Sequence, residues 1–492
     1  MGNASFLSVA FEVILVVGAL LVLLVAVVFG QDRKVWAPIA GGSFLLAAFS
    51  GFLQWRDVAN GDGGLFFSAQ GLEIFKSPMV VMDGFSAFAA IVLGLVGFTA
   101  MLGSWDLVSK VGKRSAEFVA LSLLAFSGLH MMAASPNLVV IFVGLETASI
   151  SFYILAGFVR GDTRSDEAAL KYFLLGSLAS ALFLYGVALT FAATGSLTLY
   201  GANSIRDFFS TTVVTKPGIL LVGMALMLVG LLFKISAAPF HQWAPDVYQG
   251  APSGAVGLMA AGVKVAGFAA LGRIFVGGLI SQIDTWGPIV AVIAALSMLV
   301  GTTMALVQTD MKRLVAYSGV AHSGYLLLTL LAGIDGMPAM WFYLATYPFM
   351  IVGTFAVIST VSGPGSTSSP IAAMRGLAHR SPEIGWLLAI LMFGMAGMPF
   401  FAGFVGKILA FVAAGEVGYI WLVVVATLTT VIGFAFYLKV VAAIFSSEEE
   451  NSSAIEPTLS ARFAVVIGAT VTVVFGIVPW ILMDVVRDAF PI

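Results

Sequence analysis

Cysteine is absent from all 492 residues, and histidine occurs only at 130, 241, 322 and 379. The first absence excludes disulfides, thiol catalysis and cysteine-ligated iron–sulfur clusters. The second leaves too little imidazole for a His-rich metal centre. Charge is scarce as well: Asp, Glu, Lys and Arg make up 10% of the chain, against about a quarter in a soluble domain. The net charge of -2 argues against nucleic acid as a partner. Neither a GxxxxGK[ST] phosphate loop nor a GxGxxG fingerprint occurs, so no ATP motor and no dinucleotide site of those types is encoded. No cofactor or metal site is expected on this chain.

What fills the space is apolar. Hydrophobic residues make up 60% of the chain and the mean hydropathy is +1.05, so lipid must be the solvent. A membrane-crossing helix needs about 20 mainly apolar residues. Fourteen segments qualify, near 8–30, 36–54, 79–104, 116–134, 136–160, 166–194, 217–240, 252–280, 286–308, 312–332, 337–362, 383–414, 418–445 and 461–484. The start, MGNASFLSVAFEVILVV, has no basic residue before its apolar run and reads as the first membrane helix rather than a cleaved signal. The fold class expected is an all-α polytopic membrane protein.

Orientation follows from the loops, because lysine and arginine concentrate on the cytoplasmic side. With the N-terminus outside, inner loops hold Arg33, Lys34, Lys110, Lys113, Arg114, Arg160, Arg164, Lys312, Arg313, Arg375, Arg380 and Arg462; outer loops hold Arg56, Lys76, Arg206, Lys216, Arg273 and Arg487. Twelve against six favours both termini on the non-cytoplasmic side. Residues 195–216 are expected to hold a short interfacial helix, 363–382 reads as a flexible cytoplasmic linker, and Glu448-Glu449-Glu450 as a solvated loop.

Five cations remain, Lys171, Lys234, Lys264, Lys407 and Lys439, all within expected helices and all lysine. Desolvated lysine can release its proton, whereas arginine effectively cannot. A lysine at the centre of a membrane helix costs about 2.5–3.5 kcal/mol on insertion scales, so three cost roughly 10 kcal/mol. Lys264 lies midway along the eighth segment. Lys234 precedes Pro239, where the seventh helix should break, with His241 and Asp246 beyond. Lys407 reaches mid-depth if the long twelfth segment breaks at Gly397-Met398-Pro399. Snorkelling, or capping of exposed carbonyls, is the competing structural role for each. Glu146 sits ten residues into the fifth segment, with Lys171 as a plausible partner. His241 fits a relay or a satisfied core histidine equally. His322, among Tyr317, Ser318, Ser323 and Tyr325, lines a water file or helps glue helices. Lys439 is expected to snorkel, Glu12 and Asp83 to be interfacial, and His130 to pack.

A repeat is faintly visible. Segments seven and twelve both carry proline and lysine, with the lysine before the proline in one and after it in the other. That reversal suits inverted-topology repeats, whose broken helices mark an ion path. The expected organisation is 1–115 as three N-terminal helices, 116–280 as the first five-helix repeat, 286–445 as the inverted second, and 461–492 as the last crossing and C-terminus.

The strings GLETASISFYILAGF, EAALKYFLLGSLASALFLYG, GLLFKISAAPFHQWAPDVYQGAP, QTDMKRLVAYSGVAHSGYLLL and AGMPFFAGFVGKILAF resemble the antiporter-like membrane subunits of respiratory complex I, the proton-translocating NADH:quinone oxidoreductase, over roughly 80–485. The resemblance implies fourteen helices in two inverted five-helix repeats, with helices 7 and 12 broken. It implies a proton path through Glu146 paired with Lys171, then Lys234, Lys264 and Lys407, with His241 and His322 as accessory relay members. Within the family, one type continues into a long lateral helix, whereas this chain stops at Ile492, and another usually carries glutamate where Lys407 stands. The resemblance further implies a bacterial inner membrane and neighbours among the complex's membrane subunits: the antiporter-like subunit M, the small subunit K and the lateral helix of subunit L. NADH, FMN, iron–sulfur clusters and quinone would belong to partner subunits. The competing functions are a subunit of a multi-subunit cation/proton antiporter and a membrane scaffold that pumps nothing.

Overall fold

The computed structural model describes residues 6–30, 33–66, 78–212, 217–447 and 454–489. Lys76, Lys216 and the Glu448–Glu450 run lie outside the described residues. The chain is a bundle of long helices, because a backbone in hydrocarbon must satisfy its own hydrogen bonds. In order these are α1 (Ala10–Val28), α2 (Arg33–Ala59), α3 (Gly84–Gly103), α4 (Ser115–Ala134), α5 (Leu138–Ala156), α6 (Thr163–Thr194), α7a (Pro217–Lys234), α7b (Trp243–Gly250), α8 (Ser253–Leu271), α9 (Ile283–Leu306), α10 (Met311–Leu331), α11 (Met337–Ser362), α12a (Pro382–Ala396), α12b (Ala402–Glu416), α13 (Ile420–Phe445) and α14 (Leu459–Ile477). Among the described residues, thirteen helices are long and apolar enough to cross a membrane. The broken helix 12 supplies the remaining expected segment.

The core lies along α8, α10 and α11, whose residues are almost all buried. Peripheral helices bury one side and present apolar stripes at helical spacing to lipid, such as Leu20 and Leu24 on α1, Leu170, Leu174 and Leu178 on α6, and Val424 and Leu428 on α13. Small residues permit the closest crossings. A Cβ on Gly128 of α4 would stand 2.6 Å from the Gly144 carbonyl of α5, and one on Gly144 would stand 2.7 Å from the Gly128 carbonyl.

Both expected breaks are present. Proline lacks an N–H and its ring clashes with the carbonyl four residues earlier. For Pro239 that residue is Ile235, and α7a ends at Lys234; for Pro399 it is Met395, and α12a ends at Ala396. The seventh helix thus stops before the expected residue 240. Each break holds a non-glycine residue in the left-handed region, Ser236 (φ 59°) and Phe400 (φ 73°).

Other details depart from expectation. The last segment divides at Pro479 into α14 and a separate helix, Pro479–Ala489. Helix α8 continues as a wider π turn over Gly272–Gly278. A two-stranded antiparallel hairpin, β1 (Gly64–Phe66) with β2 (Val80–Met82), adds to the helices, pairing Gly64 with Met82. The short helix expected in 195–216 is Ile205–Thr211. Residues 363–382 are docked rather than a free linker: Ser369 O accepts from Met311 N (2.7 Å), Ile371 N donates to Thr309 O (2.8 Å) and Gly376 N to Ala443 O (3.1 Å).

Candidate functional site

Three lysines occupy the interior. Lys234, Lys264 and Lys407 are 3%, 5% and 4% exposed, so none reaches a headgroup, which rules out snorkelling. Each spends its donors inside the protein. Lys234 Nζ donates to Ser149 Oγ on α5 at 2.7 Å. Lys264 Nζ donates to Gly319 O and to Ser323 Oγ on α10, both at 2.6 Å, and lies 3.5 Å from Ile235 O at the end of α7a. Lys407 Nζ donates to Ala396 O (2.8 Å) and Met395 O (3.2 Å), the open carbonyls of α12a. The negative end of a half-helix favours a cation there. Five bonds of 3.2 Å or less, at about 1.5–3 kcal/mol each for charged donors, match the roughly 10 kcal/mol burial cost.

The lysines are linked. Lys234 and Lys264 line one cavity of about 10 Å³ with Ile235, Ser236 and Tyr248, which sits at the lower bound, roughly 10–15 Å³, for a single water. Ser323 Oγ, the acceptor for Lys264, donates in turn to Ile235 O at 2.6 Å. His322, the preceding residue, interacts electrostatically with both Lys264 and Lys407, and the Met395 carbonyl neighbours both His322 and Lys407. The imidazole is held at both nitrogens, Nδ1 with Tyr343 OH at 2.6 Å and Nε2 with Tyr437 OH at 3.0 Å. Tyr437 OH also bonds Ser318 Oγ. In neutral imidazole one nitrogen donates and the other accepts, so a hydroxyl on each side lets the ring pass a proton by exchanging tautomers. Aromatic faces flank the ammoniums: Tyr172 at 6.0 Å from Lys234, Tyr347 at 5.8 Å from Lys264 and Tyr325 at 4.8 Å from Lys407.

Glu146 and Lys171 do not form the expected pair. Lys171, with 43% of its side chain exposed, binds Glu167 at 2.7 Å and Asp246 at 3.0 Å. It lies nine residues after Asp162, the α6 N-cap, within reach of Glu167 one turn earlier and of Asp246 on α7b. Glu146 instead interacts electrostatically with Lys234, and its buried Oε1 has no hydrogen-bond partner. His241 stands in the helix-7 break with its Nδ1 buried and unbonded and its ring 6.2 Å from that of Tyr317.

Several charged residues have roles that sequence reasoning missed. Arg273, assigned to an outer loop, is buried at the end of α8 and grips Asp83 through two bonds (2.5 and 2.7 Å), Tyr200 OH at 2.5 Å and Ala133 O at 2.7 Å. Asp83, just outside the α3 span, caps that helix. Burial pushes its carboxyl up, but the charge and hydrogen bonds of Arg273 outweigh this and hold it below the ordinary 3.8. Lys312, assigned to an inner loop, is buried and donates to Gln249 O, Ala251 O and Ser366 O at 3.2, 2.8 and 2.5 Å. Asp246 joins Lys171 to Arg313, the latter at 2.7 Å. Glu12 and His130 pair at 2.7 Å, and His130 Nε2 meets Ser86 O at 3.1 Å; neither is merely interfacial or packing. Lys439 lies near a chain end of α13 and donates to Gln308 O at 2.9 Å.

Residues 135–433 match the family model described as NADH:quinone oxidoreductase/Mrp antiporter, TM. The chain is 40% identical over 415 residues to NADH-quinone oxidoreductase subunit N 1 of Solibacter usitatus, covering 84% of this chain and 85% of the relative. A chain of respiratory complex I from Thermus thermophilus superposes with a TM-score of 0.80 at 33% identity, covering 96% of this chain and 98% of that one. A chain of the Mrp complex from Dietzia sp. shares the fold, with a TM-score of 0.84 at 20% identity and coverage of 98% and 97%.

Proposed function

The chain belongs to the NADH-quinone oxidoreductase subunit N family, and from that premise we propose that protons cross it along Glu146, Lys234, Lys264, His322 and Lys407. It is an antiporter-like, proton-translocating membrane subunit of bacterial complex I. The observation that carries the path is the succession of buried polar groups through the core: Lys234 on Ser149, the small cavity that Lys234 and Lys264 share, Lys264 on Ser323 beside His322, and His322 interacting electrostatically with Lys407. In each step an ammonium releases a proton to a neighbouring hydroxyl, imidazole or intervening water, and the next neutral amine takes one up; Lys407, bonded to the Met395 and Ala396 carbonyls, exchanges with His322 through water, because a carbonyl does not relay a proton. A redox-driven change of charge near Glu146 alters the proton affinity of Lys234 and starts the sequence. Lys171 tunes this entrance from the surface, and His241 serves as an accessory in the helix-7 break.

The two broken helices, five spans apart with their lysines in reversed order, support reading 116–280 and 286–445 as inverted repeats, preceded by 1–115 and followed by 461–492. Removing the buried Lys312 and Arg273 takes one cation from each side and leaves eleven inner against five outer, which still supports termini on the non-cytoplasmic side. Neighbours of the subunit M, K and L types, and NADH, FMN, iron–sulfur clusters and quinone in partner subunits, complete this reading.

The test is Lys234→Met in the assembled complex, in inverted membrane vesicles. We expect fewer protons translocated per electron at unchanged assembly. An unchanged ratio would remove Lys234 from the path.

A further inference from the structure

A second basic site lies away from the central line. Where α9 and α13 finish and α10 begins, the docked segment 363–382 leaves a cavity of about 430 Å³ lined by Thr309, Ile371, Arg375, Lys439 and Ser446. Among the described residues that line it, two are cations and none is acidic. The floor is fixed, since Ile371 N bonds Thr309 O and Gly376 N bonds Ala443 O. Lys439 uses one donor on Gln308 O, and an ammonium has three.

Below the cavity, apolar side chains on α9 (Val292, Leu296, Leu299) and on α13 (Val431, Leu438) are exposed. Beside it, Trp386 is exposed and packs edge-on against Phe445 at 4.7 Å, an arrangement suited to the interface between headgroups and hydrocarbon. Cations above an apolar face match a molecule with an anionic head and acyl tails, because the head gains from paired charge while the tails lose no water contact.

We propose that this cavity binds the phosphate headgroup of an anionic phospholipid, with Arg375 and Lys439 holding the phosphate and the acyl chains lying along α9 and α13.

The test uses the whole complex in nanodiscs containing a diazirine-bearing phosphatidylglycerol, with cross-links mapped by peptide. We expect labelling within 366–380 and 434–447. The double variant Arg375→Gln/Lys439→Gln should reduce it roughly thirtyfold for two cations. Arg462→Gln, outside the cavity, and the charge-keeping Lys439→Arg should retain it. Equal labelling by a phosphatidylcholine probe, insensitive to the double variant, would reduce the site to apolar contact and overturn the proposal. Loss of labelling in excess inorganic phosphate at constant ionic strength would assign the cavity to the free ion and overturn the lipid source. No labelling in the assembled complex would mean that a neighbouring subunit covers this face, which also overturns it.

Discussion

The two broken helices solve one problem in different ways. A half-helix ending inside the membrane leaves carbonyls without partners and a negative dipole end. In helix 12 the answer is internal: Lys407, from the second half, reaches back to Met395 O and Ala396 O. In helix 7 it is shared. Trp243 Nε1 donates to Phe233 O at 3.0 Å, Ser323 Oγ to Ile235 O at 2.6 Å, and Lys264 of α8 approaches the same carbonyl. Lys234, the last residue of α7a, is thereby released to face Ser149 and Glu146. On the proposed path, one lysine at break 12 would be both cap and proton carrier, whereas break 7 would divide those tasks. The caps of break 7 therefore do not depend on Lys234, so the proposed loss of its proton would leave them in place.

Lys407→Met is the strongest way to break this comparison. It leaves two buried carbonyls without the donor they share, at about 1–3 kcal/mol each, or roughly 2–6 kcal/mol. Lys264→Met leaves Ile235 O still bonded to Ser323 and should cost less. Hydrogen exchange at 395–401 in the first variant should rise well above that at 235–242 in the second. Equal protection would mean that Lys407 is no cap.

Arg273→Gln tests a charge that belongs to neither break. Removing one member of a buried pair costs about 3–5 kcal/mol, and the partly exposed Asp83 places this near the lower end. Assembly and thermal stability should fall while protons per electron stay unchanged. Because Asp83 is held below its ordinary value, the pair's contribution is complete above pH 3.8 and is lost as pH falls through the lower folded value. The gap between wild type and variant should narrow only in that acid range.

Arg273 also shows where sequence stops being legible. The breaks could be read, because Pro239 and Pro399 act on carbonyls four residues away. Lys234, Lys264 and Lys407 could be read because a charge within a 20-residue apolar run is visible locally. Arg273 looked like a loop residue because it lies near a segment end, and its partner Asp83 is 190 residues away. Lys312 was hidden for the same reason, its acceptors being carbonyls of α7b and of a segment that composition marked as a linker. Glu12 and His130 meet across 118 residues. Hydropathy reports depth along one helix and carries no information about which helices touch.

A smaller change sharpens helix 12. Gly397 ends α12a in the left-handed region at φ +85°, and a Cβ there would come within 3.1 Å of Lys407 Nζ. Gly397→Ala should cost about 1–2 kcal/mol in backbone strain and push the ammonium off its carbonyls. Pumping should fall, though less than in Lys407→Met, and Gly397→Val should fall between the two.

Lys171→Met should have the smallest effect, and it decides how break 7 is entered. A pair with Glu146 would make Lys171 a carrier, and its loss would match that of Lys234. In the structure Lys171 is 43% exposed and bound to Glu167 and Asp246, and exposed ion pairs contribute about 0–1 kcal/mol. Asp246 keeps Arg313 as a partner when Lys171 is gone, so the α6–α7b contact survives. Protons per electron in vesicles should remain near wild type for Lys171→Met and fall for both Glu146→Gln and Lys234→Met. If Lys171→Met instead matched Lys234→Met, the entrance would run through α6, and the division of labour assigned to break 7 would have to include a third lysine.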